Sequence, residues 1–140
     1  MQDRFKFRYV FTKDFGGKTG ICYKMPIFNL DTITDENFNK IVKSYIDYDY
    51  KLISIEQCTG LKDKSGKLIY EGDIVKGTCG VYWGLMVVEY LENRASFIYR
   101  RLDGKYYPLS MLGECNFEEL LGNVYENPEL LERNNDKTTR

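Results

Sequence analysis

Apolar and polar positions alternate from the first residues of the chain. Phe5, Phe7, Tyr9 and Phe11 fall on one side of an extended backbone, with Arg4, Lys6 and Arg8 on the other, a period of two that predicts a half-buried strand over 4–11. Gly16-Gly17 closes it, and Thr19 to Met25 returns as a second strand ended by Pro26. The period becomes helical at 34–45. Thr34 is the N-cap, Asp35 and Glu36 sit at the positive end of the dipole, and Phe38, Ile41, Val42 and Tyr45 form one apolar stripe. Asp47-Tyr48-Asp49 ends the helix, and Tyr50 to Cys58 reads as a strand built around Leu52, Ile53 and Ile55.

Thr59 to Gly72 is rich in Gly, Lys and Asp, and Lys64-Ser65-Gly66-Lys67 reads as a tight turn. Beyond Gly72 the chain has the pattern of short strands, at Asp73–Thr78, Val81–Leu91, Ala95–Arg101 and Tyr106–Met111. Glu92-Asn93-Arg94 and Asp103-Gly104-Lys105 are the hairpin turns between the later pairs. Asn116 to Leu121 reads as a turn of helix and Gly122 to Glu126 as a closing strand. Asn127-Pro128-Glu129 is the capped start of a short terminal helix, and Arg133 to Arg140 is a polar tail. The predicted fold is α+β. A strand–helix–strand part over 1–58 precedes a small SH3-like β-barrel over 59–126, and 127–140 holds the terminal helix and tail.

Composition narrows the chemistry. At 140 residues the chain is one ordinary domain or two very small ones, large enough to fold without a covalent staple. Twenty Lys and Arg against 21 Asp and Glu leave a net charge of -1, no general reason to bind nucleic acid or an anionic membrane. Histidine is absent, which removes His-containing triads, HExxH metalloproteases and His-ligated zinc sites. No serine stands in a GxSxG setting, and paired acids such as Glu118-Glu119 do not face each other across a cleft. Gly60 and Gly66 are one residue too far apart for a phosphate-cradling P-loop, and Leu68 stands where that loop needs Ser or Thr. No catalytic, cofactor or metal residue is expected.

Cys22, Cys58, Cys79 and Cys115 form no CxxC pair and are read as free, buried thiols. The N-terminus lacks the apolar run of a signal peptide, and no stretch approaches the roughly 18 apolar residues of a membrane span, so a cytoplasmic location is expected.

Three segments resemble the YopX family of phage and prophage proteins. They are Phe5-Lys6-Phe7-Arg8, the long central run Gln57-Cys58-Thr59-Gly60-Leu61-Lys62-Asp63-Lys64-Ser65-Gly66-Lys67-Leu68-Ile69-Tyr70-Glu71-Gly72-Asp73-Ile74-Val75, and Gly122-Asn123-Val124-Tyr125-Glu126-Asn127-Pro128-Glu129-Leu130-Leu131. The chain departs from the family's usual pattern at Cys58, where a hydrophobic or aromatic residue is usual, and at Ser65, where Asn is common. The resemblance implies a phage-encoded protein, an α+β fold whose second half is like an SH3-type barrel, and assembly as an oligomer in the host bacterial cytosol. It supplies no catalytic residue.

Two surface readings stand side by side. Lys62, Lys64 and Lys67, with Arg100 and Arg101 on a predicted strand, form a candidate basic patch for phosphates, beside the aromatics Trp83 and Tyr106 as stacking groups. The plainer reading makes the lysines a solvated turn and most aromatics barrel core. Charge is also segregated, with six Lys or Arg in 1–25 and seven acids in 114–136, and the basic–aromatic first strand is a candidate for edge pairing between copies. The function expected is non-enzymatic binding of a macromolecule, a host or phage protein, by a homo-oligomer. The alternative is a nucleic-acid-binding SH3-like module.

Overall fold

The computed structural model describes residues 5–33, 36–108 and 115–132. The chain divides into two compact units, Met1–Cys58 and Thr59–Arg140. Thr34 and Asp35, the first four residues, the end of the Tyr106–Met111 strand and the polar tail lie outside the described residues.

Unit 1 is a helix on a small antiparallel sheet. Strand β1 (Lys6–Asp14) lies between β2 (Ile21–Lys24) and β4 (Lys51–Lys62), and a short β3 (Ile27–Asn29) also pairs with β1. Between them come a single helical turn, α1 (Leu30–Ile33), and the helix α2 (Glu36–Asp47). The core is aromatic. Tyr9, Phe11 and Phe28 are buried, and Phe7, Phe38, Val42, Tyr45 and Tyr50 pack on them. Phe28, Phe38 and Tyr9 meet edge to face at 4.9–5.4 Å, while Tyr45 stacks on Phe11 at 4.5 Å. Of the predicted helical stripe, Phe38, Val42 and Tyr45 face this core, and Ile41 stays exposed. Asp49 adopts the left-handed conformation, and the Tyr50 N–H donates back to Tyr45 O at 3.0 Å, which stops the helix.

The first strand is not the edge that its pattern suggested. It carries partners along both sides, so its own ladder is filled and edge pairing through β1 is excluded. Its second face is not solvated either. Arg8 stands directly across from Glu56, and its Nε and Nη2 donate to Glu56 Oε1 at 3.0 and 2.8 Å, with both side chains buried.

Unit 2 is a curled five-stranded antiparallel sheet in the order β10-β6-β7-β8-β9, formed by Cys115–Asn123, Asp73–Cys79, Tyr82–Leu91, Ser96–Arg101 and Tyr106–Pro108. The three-residue β5 (Leu68–Tyr70) neighbours β4. One face of the larger sheet buries Val75, Cys79, Met86, Val88, Phe97, Tyr99 and Phe117 against Ile69. Ile74 and Val75 are both fully buried. The β7–β8 connection is a single 3₁₀ turn, Glu92–Arg94, closed by Ala95 in the left-handed region.

Two expectations fail here. The first is the helical turn over Asn116–Leu121, which is strand. Register shifts between Phe117 and Glu119 and between Leu120 and Gly122 leave Glu118 and Leu121 without a partner on β6. These bulges place Phe117 and Leu120, three residues apart, against the same core, which mimics helical spacing. The expected closing strand Gly122–Glu126 is the end of this strand followed by a turn, before a helical stretch at 129–132. The second failure concerns cysteines. Cys79 and Cys115 are directly paired across β6 and β10 and form a disulfide, while Cys22 and Cys58 are free. Residues 36 positions apart in sequence, read as isolated thiols, are brought together by strand register.

At Gly77 on β6 the backbone of Asn116 on β10 occupies the place a Cβ would take. Gly77→Ala is therefore expected to lower unfolding stability by about 2 kcal/mol, the range of an overpacked core, because backbone must move. Chemical denaturation measures this, and a variant as stable as the wild type would show that β10 sits farther from β6.

Candidate interaction surface

The residues singled out in the sequence fall into four separate settings. Lys62, Lys64 and Lys67 belong to the end of β4 and the turn after it, and this turn is built around Asp63. Asp63 Oδ1 accepts from the Ser65 N–H (2.9 Å), the Ser65 hydroxyl (2.7 Å) and the Lys67 N–H (2.9 Å). Its Oδ2 accepts from the Leu120 N–H on β10 (2.9 Å). The Lys64 N–H donates to Phe117 O at 3.2 Å, so the turn lies along the outer edge of β10. A shallow cleft of about 510 Å³ is lined by Asp63, Lys64, Ser65, Lys67, Glu118 and Glu119. The cleft is of mixed charge. Lys64 Nζ lies 3.4 Å from Glu118 Oε1, an exposed pair of small energetic weight.

Arg100 and Arg101 occupy opposite faces of β8. Arg100 Nε donates to Glu89 Oε2 at 2.7 Å and its Nη1 to Gly104 O, with the guanidinium 5.4 Å from the Tyr106 ring. Arg94 stands over the same ring at 5.6 Å. Arg101 turns to the core side. It donates to Asp103 Oδ2 (2.6 Å) and the Tyr107 hydroxyl (3.1 Å) and lies 4.3 Å from the centre of the Tyr82 ring. Trp83 is half exposed, with Lys76 Nζ 5.3 Å from its ring. Arg100 and Tyr106 therefore sit side by side in register, but Arg101 faces away from them. The two arginines, like Lys64, already hold carboxylates. Geometry thus divides the candidate basic patch into pieces with their own counter-charges.

Sequence reasoning missed the apolar surface of unit 1. Of the fourteen large apolar side chains that stand exposed among the described residues, eleven belong to unit 1, including Ile21, Ile27, Ile41, Ile46, Leu52, Ile53 and Ile55. Leu52, Ile53 and Ile55 were legible as the centre of a strand, and since adjacent strand residues point to opposite faces, Leu52 and Ile53 cannot share one side, which was the signal of an apolar residue outside the core.

The motif residues have structural tasks. Gly72 (φ 85°) and Asp73 make the turn into β6, where Asp73 is buried and accepts from the Tyr70 N–H at 2.8 Å. Asn123 Oδ1 accepts from the Tyr125 and Glu126 N–H groups, and Asn127 Oδ1 accepts from the Asn123 N–H. Asn127 also fills the space a Cβ on Gly122 would need.

Burial alone would raise the Asp63 carboxyl, but the Leu120 N–H, the Ser65 hydroxyl and the Lys67 and Ser65 N–H groups outweigh it and hold it down at about 2, from an ordinary 3.8. A depressed carboxyl contributes stability above its unfolded value that is lost as pH falls through the folded one. Asp63→Asn is expected to cost about 1–3 kcal/mol near neutral pH, since Leu120 loses its acceptor. The gap between wild type and variant should narrow from pH 4 towards pH 2. Denaturant midpoints at several pH values test this, and a gap independent of pH would refute the assignment.

Among the described residues, no helix is long and apolar enough to cross a membrane. No curated protein matches the chain. The family model described as YopX protein matches residues 19–132, which take in the Asp63 turn, the Gly72-Asp73 turn and the Asn123 turn. The chain therefore belongs to the YopX family.

Proposed function

We propose that the protein is a non-enzymatic, phage-encoded interaction module of the host cytosol that assembles with copies of itself, with its second unit as an SH3-like half-barrel scaffold. The observation that carries this reading is the concentration of exposed apolar side chains in unit 1. Scattered exposed apolar residues are ordinary, but a unit of this size with eleven of them is a surface prepared for a partner.

Its centre is the Lys51–Ile55 part of β4. This segment pairs with β1 along one edge. On the other edge, among the described residues, β4 has no neighbour but the three-residue β5. Ile53 is the extra residue where the β1 register shifts, and it stands exposed between Leu52 and Ile55. An open apolar edge is a template for strand addition. A second copy fits it. Antiparallel pairing about Ile53 sets Lys51 opposite Ile55 and Leu52 opposite Ser54, so no like charges meet. The nucleic-acid reading is weaker, because Arg100, Arg101 and Lys64 each face a carboxylate. A non-enzymatic role agrees with the same pairing, since Asp63, Lys64 and Glu118 in the cleft are engaged with protein groups.

Size-exclusion chromatography with light scattering tests the proposal. The wild type is expected at a multiple of 16.5 kDa at micromolar concentration. The Ile53→Lys, Ile55→Lys double variant should run as a folded monomer by circular dichroism. A monomeric wild type, or a variant that stays assembled, would overturn it. In a parallel arm, affinity for an oligonucleotide that falls steeply between roughly 50 and 200 mM salt and is lost in Arg100→Ala would move the assignment to nucleic acid.

A further inference from the structure

The Cys79–Cys115 disulfide stands at the first rung of the β10–β6 ladder, on the strand at the sheet's edge. Its two sulfur-bearing residues differ in access. Cys79 is buried at 1% exposure, whereas Cys115 is partly exposed and lines an open cleft of about 340 Å³. Leu61, Lys62, Asp63, Lys64, Asn116 and Phe117 line the same cleft. Lys64 is paired with Glu118 and Asp63 accepts from the Leu120 N–H, so the Lys62 ammonium is the charge in this lining that favours the thiolate form of an incoming thiol, the attacking species in exchange.

We infer that this cleft is a thiol–disulfide exchange site whose substrate is a dithiol reductant, with Cys115 as the sulfur attacked. In the first step a thiolate of the reductant bonds to Cys115 Sγ, the Cys79–Cys115 bond breaks, and Cys79 leaves as a thiolate that takes up a proton. In the second step the reductant's other thiolate bonds to its own first sulfur. Cys115 is then released and protonated. The protein gains two electrons and two protons, and the reductant becomes a disulfide. The direction of attack is set by access, because the approach to Cys79 is closed. Reduction frees the start of β10, and with it the rung at Asn116 and the Lys64–Phe117 backbone bond that holds the Asp63 turn to this strand. The reverse reaction, with a disulfide oxidant, restores the tie. Exchange at this cleft is independent of self-assembly through unit 1.

The test uses the full chain purified without reductant. Alkylation in denaturant is expected to label Cys22 and Cys58 alone, and all four cysteines after reduction. Brief incubation with glutathione, acid quenching and peptide mapping should place the mixed disulfide on Cys115. Reduction rates are then compared for dithiothreitol and for a protein carrying a CxxC dithiol. Lys62→Glu should slow both by about three- to tenfold through the raised thiol pKa, and Lys62→Gln serves if that variant does not fold. Reduction by both agents assigns the site to a protein dithiol, and reduction by dithiothreitol alone assigns it to small dithiols. Four free thiols before reduction, an adduct on Cys79, or rates indifferent to the lysine changes would each overturn the inference.

Discussion

Four hydrogen bonds to one carboxylate hold the second unit's edge. Asp63 gathers the amides of its own turn on one oxygen and the Leu120 N–H of β10 on the other. Without it the bulged strand β10 would present unsatisfied backbone along an open edge, which is costly if buried and adhesive if exposed. Asp73 and Asn123 solve the same problem at the two turns where β6 begins and β10 ends. All three side chains are buried and point at backbone N–H groups. All three lie within the segments that resemble the YopX family, and there they close turns.

The function then has to be sought where the folding contacts are not. The lysine turn and the β8 arginines look like a phosphate site in one dimension because a sequence shows cations without their partners. In three dimensions Glu89, Asp103 and Glu118 stand beside them. Each pair is partly exposed and adds little stability, yet together they cancel the field that would draw a polyanion. Unit 1 has the opposite character. Its aromatic core is well filled, but β4 and the outer flank of α2 keep isoleucines in solvent.

Local pattern carried most of the strands and the long helix, because period two and period 3.6 are written directly in side-chain order. The Asp-Gly turn at 103–104 was legible for a local reason too, since the left-handed backbone at Gly104 favours glycine. What failed was non-local. Two bulges gave β10 a helical spacing, and strand register joined two distant cysteines. The position of β1 in the middle of its sheet depends on β2, β3 and β4, none of which its own residues specify. Of the candidate site, residue types were readable and neighbours were not. Arg100 and Arg101 are adjacent in sequence and therefore on opposite faces of a strand, which period two alone could have excluded as one patch.

The edge strand β10 is tied by three bonds of different chemistry. Cys115 is held covalently to Cys79, Phe117 O receives the Lys64 N–H, and Leu120 donates to the Asp63 carboxylate. A reductant acts on the first and acid on the last, while the middle bond depends on both neighbours to keep the turn against the strand. Contacts that share a backbone segment do not contribute independently. Losing the disulfide therefore leaves Asp63 holding a strand with a free end, and losing the carboxylate leaves the disulfide anchoring a strand whose outer edge is open. Among the described residues, restraint is concentrated where the larger sheet has no further strand, and the apolar Lys51–Ile55 edge of β4 has no such cover.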